Sequence, residues 1–423
     1  MIPASPTSLR AHWTLDRGVA YLNHGSFGAT PRAVLETQAE LRARMEREPV
    51  RFLDHELEGL LDSARAPLAE LLGARPADLA WLPNATAGVN TVVQSLELAA
   101  GDEILTTDHE YNAVLNTLRF VARRAGGSVV VAQVPFPLRS ANEALEAILA
   151  AAGPRTRLAV ISHITSATAL RLPVEELVPA LAERGIDTLV DGAHAPGMLP
   201  LDLERLGAAY YTGNCHKWLC APKGAGFLHV RADRQDGIRP LVVSHGANSP
   251  RRERSRFLLE LDWTGTDDPT AYLSVPAAID FLSRLVPGGL TALMARNHEL
   301  VLAGRDTVLR VLGGKAPAPD EMLGSMAALV VPDGFPPVPV EPPADLPTGV
   351  SLPATGVSLP DDPLHDALMA GGVQVPVAPW PPTVAQEPPW RPRLRVLRIS
   401  AQAYNVVADY ERLAAALREA PAT

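Results

Sequence analysis

From about Pro76 to Val230 short apolar runs alternate with helical patterns, and this alternation restricts the chain more than any other feature. Strand, helix and strand in repeated succession close most simply as a mostly parallel sheet with helices on its faces, an α/β fold. The runs DEILTTD, SVVVAQV, RLAVISHI, IDTLVDGA, AAYYTG and AGFLHV are β-rich and are expected to be strands. Between them, ANEALEAILAAAG and PVEELVPALAERG carry helical spacing. The second opens on a proline and stops at a glycine, the usual asymmetry of helix ends.

A chain of 423 residues is too long for one simple core, so a large domain with a smaller companion is expected. After about Asp280 the alternation fades. The segment from Val331 to Pro392 is proline-rich and contains TGVSLP twice, at Thr348 to Pro353 and Thr355 to Pro360, which reads as an exposed insertion without a chemical role. Order returns with the strand LRVLRIS and the helix NVVADYERLAAALREA. The expected division is 1–50 for an N-terminal arm and part of the small domain, 51–280 for the large domain and 281–423 for the small domain, with the insertion at 331–392.

The net charge of -9 disfavours a general attraction to nucleic acid or an anionic membrane, so the partner is expected to be a small molecule. RRERSR at 251 to 256 is the one dense basic run; it borders an active-site mouth, attracts an acidic substrate group, or is simply solvated. Only Cys215 and Cys220 could form a disulfide, and they are too close in sequence to be a framework, which points to a reducing compartment. The first residues lack the apolar core of a signal peptide and no run approaches 18 apolar residues, so a cytoplasmic location is expected.

The chemistry centres on GNCHKWLCAPKGAGF, residues 213 to 227, where Lys217 follows an expected strand. A buried lysine loses its charge readily and can attack a carbonyl, which arginine cannot. Upstream, IDTLVDGAHAPG puts Asp191 at the carboxyl edge of a strand, where open α/β sheets bind ligands. A carboxylate there could keep a pyridine nitrogen protonated, as a pyridoxal phosphate ring requires to act as an electron sink. LPNATAGVN places Thr86 at an apparent helix start, which suits either a phosphate cradle or an ordinary N-cap. TTDHEYNAV offers His109 and Tyr111 just past a strand, where an aromatic ring could cover a flat cofactor or serve only in packing.

In order along the chain, YLNHGSFGATP, ATAGVN, HEYNA, DGAHAPG, YYTGNCHKWLCAPKGAGFL, WTGTDDPTAYLSVPAAIDF and LRIS with a following YN resemble the class V aminotransferase family of fold type I pyridoxal phosphate enzymes, in particular its isopenicillin N epimerase-like branch. The resemblance runs from about Tyr21 to Phe281 and again from Leu394; the proline-rich region between matches poorly. It implies a mostly parallel large-domain sheet of the seven-stranded type, a smaller α+β domain, and a homodimer with its active site at the subunit interface. It also implies that Lys217 forms the Schiff base and moves the Cα proton, and that Asp191 pairs with the pyridine nitrogen. His194 and Ser166 would lie near the 3-hydroxyl, where relatives often have glutamine and asparagine. Tyr111 would stack on the ring, with His109 as the alternative. Ala85, Thr86, Asn214 and His216 would surround the phosphate, and Thr266 would reach it from the neighbouring subunit. Arg398 would bind the substrate carboxylate, and Asn23 and His24 would line the substrate side or pin the arm. No metal is called for.

The implied chemistry passes through an external aldimine and a quinonoid, from which several reactions branch. An amino-acid epimerase is the first reading; it needs a second acid opposite Lys217, for which His24, His216 and Tyr111 are the available groups. A carbon–sulfur lyase acting on a cysteine-derived substrate is second, a transaminase third, and a non-enzymatic cofactor-binding module last. A cysteine desulfurase is disfavoured, because VQVPVAPWPPTVAQEPPWRPRL, just before Arg398, contains no cysteine. Cys215 and Cys220 read as small buried residues.

Overall fold

The computed structural model describes residues 9–332, 335, 362–381 and 394–419. The N-terminal part contributes the short strand β1 (Ala20–Tyr21) and the helices Arg32–Arg47 and Leu57–Leu72. Then come β2 (Leu79–Leu82), β3 (Glu103–Thr107), β4 (Ser128–Ala132), β5 (Thr156–Ser162), β6 (Asp187–Gly192), β7 (Tyr210–Asn214) and β8 (Gly226–Val230). These last seven form one sheet in the order β2-β8-β7-β6-β5-β3-β4. Only β8 runs against the others, being antiparallel to both β2 and β7.

All six expected strands of the alternating region are present, and β2 is an addition. Its sequence, LAWL, is buried on both faces, so it carries no polar alternation to announce it. The two-residue period sorts its side chains all the same: Leu79 and Trp81 join the core on one face of the sheet, Ala80 and Leu82 that on the other. The helices Leu57–Leu72, Ala141–Ala151 and Val174–Ala182 cover the first face, and Ala85–Ser95 and Asn112–Ala125 the second. Both layers converge on the carboxyl ends of β5, β6 and β7, where register sets Ser162 beside Asp191 and Asp191 beside Thr212.

The remaining strands are β9 (Met326–Val331), β10 (Val373–Gln374), β11 (Val377–Trp380) and β12 (Leu394–Ser400). β11, β12 and β9 form an antiparallel sheet in that order, and β10 pairs in parallel with β1. The helix Gly289–Leu312 packs behind β9, and Val407–Glu419 lies against it so closely that a Cβ on Gly304 would stand 2.5 Å from the Tyr410 ring.

The expected insertion at 331–392 needs correcting. Its residues 362–381 form the helix Pro363–Ala370, β10 and β11, and β11 is an integral strand of the small sheet. The prolines that hid it are compatible with this because β11 is an edge strand, and Pro363 sits in the first turn of its helix. Both copies of TGVSLP lie outside the described residues. Among the described residues no single helix is long and apolar enough to cross a membrane.

Candidate functional site

A cleft of about 170 Å³ opens at the carboxyl ends of β5, β6 and β7. Its walls include Ala85, Thr86, Tyr111, Ser166, Asp191, His194, Asn214, His216 and Lys217, all expected from the sequence, and also Gly25, Ser26, Asn84, Ser162, Ile164 and Ala193. The two-residue ambiguity between His109 and Tyr111 resolves geometrically, since Tyr111 reaches the cleft. His109 is 1% exposed and faces the interior, bonded to Thr168 Oγ1 (2.7 Å) and the Val134 carbonyl (2.9 Å) with its ring against Trp380, which corrects its candidacy as a stacking ring.

Lys217 stands three residues past β7. Burial and the nearby Arg398 charge pull its amine down from 10.5 to about 7, against the pull of Asp191. Its Nζ lies 3.2 Å from His194 Nε2. The backbone carbonyl of Lys217 accepts from Cys220 N–H and is met by His24 Nε2 at 2.9 Å. His24 is fully buried, with Nδ1 taken by the Tyr404 hydroxyl at 2.7 Å. It therefore stands behind Lys217 instead of lining the substrate side. Both of its ring nitrogens are committed, and burial lowers it to about 3, so it is no proton donor to the cleft. Close packing produces this arrangement: Gly28, at φ +61°, brings the N-terminal segment so near that a Cβ would meet the His216 carbonyl at 2.3 Å.

Asp191 is the next-to-last residue of β6, with Oδ1 accepting from Ala193 N–H at 2.9 Å. Beside it lies a carboxyl the sequence reading missed. Glu110 is 2% exposed, with Oε1 accepting from Ser162 Oγ (2.7 Å) and Tyr111 N–H (2.9 Å). Burial and the Asp191 charge raise Glu110 to about 8. Burial raises the Asp191 carboxyl as well, against the Ala193 N–H and the Lys217 charge that favour its anion, so the two neighbouring carboxyls resist ionising together. Only the adjacency in HEYN hinted at Glu110, and no spacing rule singles out Ser162.

The helix Ala85–Ser95 begins on the cleft wall, capped by Asn84 Oδ1 accepting from Ala87 N–H at 2.9 Å. Asn214 Oδ1 takes Ala85 N–H at 2.8 Å, so Asn214 keeps its amide hydrogens to offer and the Thr86 amide lies between two committed ones. His216 donates from Nδ1 to the Ala225 carbonyl at 2.8 Å, leaving Nε2 bare; burial and Lys217 lower it to about 4.

Arg398, on β12, is 7% exposed and bonded to Ser166 O, Ser26 Oγ (2.7 Å) and Asn23 Oδ1 (3.2 Å). Among the described residues no carboxylate pairs with it, and burial lowers it to about 10. Asn23 thus serves Arg398 directly and the cleft only through it. Thr266 lies apart from this cleft in the same chain, on a second one lined with Val50, Trp263 and Arg254. Arg251 and Arg254 of the basic run belong to that second cleft and are paired with Glu58, Asp62 and Asp262, not with the first. Cys215 and Cys220 are buried and free, and burial raises both thiols, that of Cys220 to about 12.

A mostly parallel α/β sheet with a buried lysine and carboxylate at its carboxyl edge defines the fold type I class. The chain belongs to the class V aminotransferase family, whose model matches residues 20–333. Isopenicillin N epimerase of Amycolatopsis lactamdurans is 38% identical to it, with 99% of each chain covered. The putative L-cysteine desulfhydrase 1 of Oryza sativa subsp. japonica is 32% identical over 94% of this chain and 82% of its own. Among solved structures, a C-DES variant with glycine covalently linked to its PLP cofactor superposes with a TM-score of 0.76 at 20% identity, covering 97% and 99% of the two chains.

Proposed function

We propose that the chain is a pyridoxal phosphate enzyme acting at the Cα of an amino acid, and that its reaction is epimerisation of the isopenicillin N epimerase kind. One observation carries the cofactor: a buried amine, Lys217, and a buried carboxylate, Asp191, share one cleft with a helix N-terminus. This donor set fits the group. The Lys217 amine suits its aldehyde, Asp191 its pyridine nitrogen, His194 and Ser166 its 3-hydroxyl, Tyr111 its ring face, and Thr86, Asn214 and His216 its phosphate. Bound there, the cofactor would stabilise negative charge developing at Cα.

The chain's own residues supply the rest. Lys217, pulled down to about 7 and so largely an amine above neutral pH, would take the Cα proton. Asp191 holds a proton at the pyridine nitrogen. Arg398, buried and without an anionic partner among the described residues, binds the substrate carboxylate, while Asn23 and Ser26 hold its orientation. With His24 committed elsewhere and His216 carrying no proton on Nε2, Tyr111 is the group of the expected set left on the cleft wall to protonate the opposite face.

The near full-length match at 38% identity supports epimerisation; the rice desulfhydrase, matched over almost as much of the chain, supports a carbon–sulfur lyase as the second reading. The holoenzyme incubated with a panel of amino acids in deuterium oxide separates them. Cα exchange with inversion and no other product is expected, and release of pyruvate with a sulfur species would replace the epimerase by the lyase. The enzyme acts as a homodimer, with Thr266 of each subunit reaching the other's phosphate site. Leu241, Val242 and Val243, three consecutive exposed apolar residues, support such an interface. Two free buried thiols support a reducing, cytoplasmic setting.

A further inference from the structure

We propose that Trp218 is a positioning residue: its indole N–H locks His194 in the tautomer that carries the proton on Nε2, and so presents Lys217 with a donor that only an uncharged amine can accept. The inference rests on Lys217 being the cofactor lysine, and adds what makes that lysine ready before the cofactor arrives.

The argument follows from which groups can donate. Trp218 is 1% exposed, so its indole N–H needs a buried partner. It donates to His194 Nδ1 at 3.3 Å. An indole nitrogen never accepts, so Nδ1 must present a lone pair. Burial and the charges of Lys217 and Arg398 hold His194 well below 6.5, so the ring is neutral and its one proton sits on Nε2. Nε2 lies 3.2 Å from Lys217 Nζ. An ammonium has no lone pair to receive that proton, whereas an amine has one. The opposite tautomer would set two buried N–H groups head to head, a mismatch that biases the equilibrium by about tenfold or more.

The surroundings keep the pair from separating. The Trp218 ring is packed among Ile164, Met198, Met326 and Trp380, with the His24 ring 4.8 Å away. Gly197, at φ +84°, lets the loop that bears His194 lie directly on the Trp218 backbone, where a Cβ would stand 2.7 Å from its carbonyl. The charges facing Lys217 are Arg398, which also disfavours the ammonium, and Asp191, which favours it. The imidazole donor tips this balance toward the amine.

The test reads the tautomer and the lysine separately, in the full-length chain with the cofactor removed. Nitrogen NMR of histidine-labelled protein, assigned with His194→Gln, should show His194 protonated on Nε2 and bare on Nδ1; the reverse pattern or a charged ring overturns the proposal. Replacing Trp218 by 3-benzothienylalanine keeps the bicyclic shape and puts sulfur where the N–H stood. In that variant, and in Trp218→Phe, the pH at which Lys217 reacts half-maximally with added pyridoxal phosphate should rise by about one unit. An unchanged midpoint overturns the proposal. In a His194→Gln background the same indole change should leave the midpoint where it is, since an amide can turn its NH2 to the lysine unaided; a shift there would mean that Trp218 acts by packing, and would also overturn it. Borohydride trapping of the cofactor on another lysine, such as Lys223, would defeat the functional reading while leaving the tautomer measurement intact.

Discussion

Lys217 keeps its reactivity at a cost to the fold. Its amine titrates near about 7 in the folded chain against 10.5 in an ordinary setting, so between those values the unfolded chain binds a proton that the folded chain does not. Stability contributed at this position therefore rises with pH across that window, and the penalty is fully present below it. Lys217→Met in the cofactor-free protein should be more stable than the parent at pH 6, and the gap should narrow as pH climbs toward 10, as read from urea midpoints. The same variant should bind no cofactor covalently and should lose activity by about a thousandfold or more, with its circular dichroism unchanged. Arg398→Lys keeps the charge but not the planar fork, so kcat/KM should fall by about 10- to 100-fold. A near-normal value would show that the substrate carboxylate is held elsewhere.

The helix Ala85–Ser95 and the loop after β7 make the anion end of the cleft together, and its fit depends on Gly88. A Cβ there would stand 2.1 Å from Thr212 Oγ1 on β7, so Gly88→Ala should push the helix off the sheet, cost about 1–3 kcal/mol, and weaken cofactor retention. His216, neutral at pH 7 with a bare Nε2, should take up a proton when a phosphate dianion arrives beside it. Calorimetric titration with pyridoxal phosphate in buffers of different ionisation enthalpy should show that uptake, and His216→Asn should abolish it. Sequence alone delivered the alternating strands and the place of Lys217 and Asp191 near strand ends in one cleft, because a βα rhythm and a residue at a strand end are local patterns. It did not deliver β2, whose double burial erases alternation, or β11, whose prolines imitate a loop. Which of the two roles offered for His24 it takes, and the presence of Glu110, come from contacts with residues far along the chain, which no spacing encodes.

Taken whole, the molecule leaves apolar surface uncovered at Leu241, Val242 and Val243, which are 46%, 58% and 67% exposed. If that surface seats a second copy, Val242→Glu with Val243→Glu should shift sedimentation from dimer toward monomer and, by removing the partner's Thr266, loosen the cofactor as well. Loss of the dimer with unchanged cofactor binding would separate assembly from the site.

The bond from His24 N–H to Ser400 Oγ, at 2.7 Å, joins residues 376 positions apart, and the same histidine props up the Lys217 carbonyl. Its consequence is a matter of timing. On the ribosome the parallel sheet can form while the segment around His24 waits for β12 to be made, so the lysine loop is the last part to gain its support. A nascent chain interrupted before β12 would carry the whole wall of the cleft but not Arg398 and would still present a slack, unfinished lysine, and catalytic competence would arrive late and all at once.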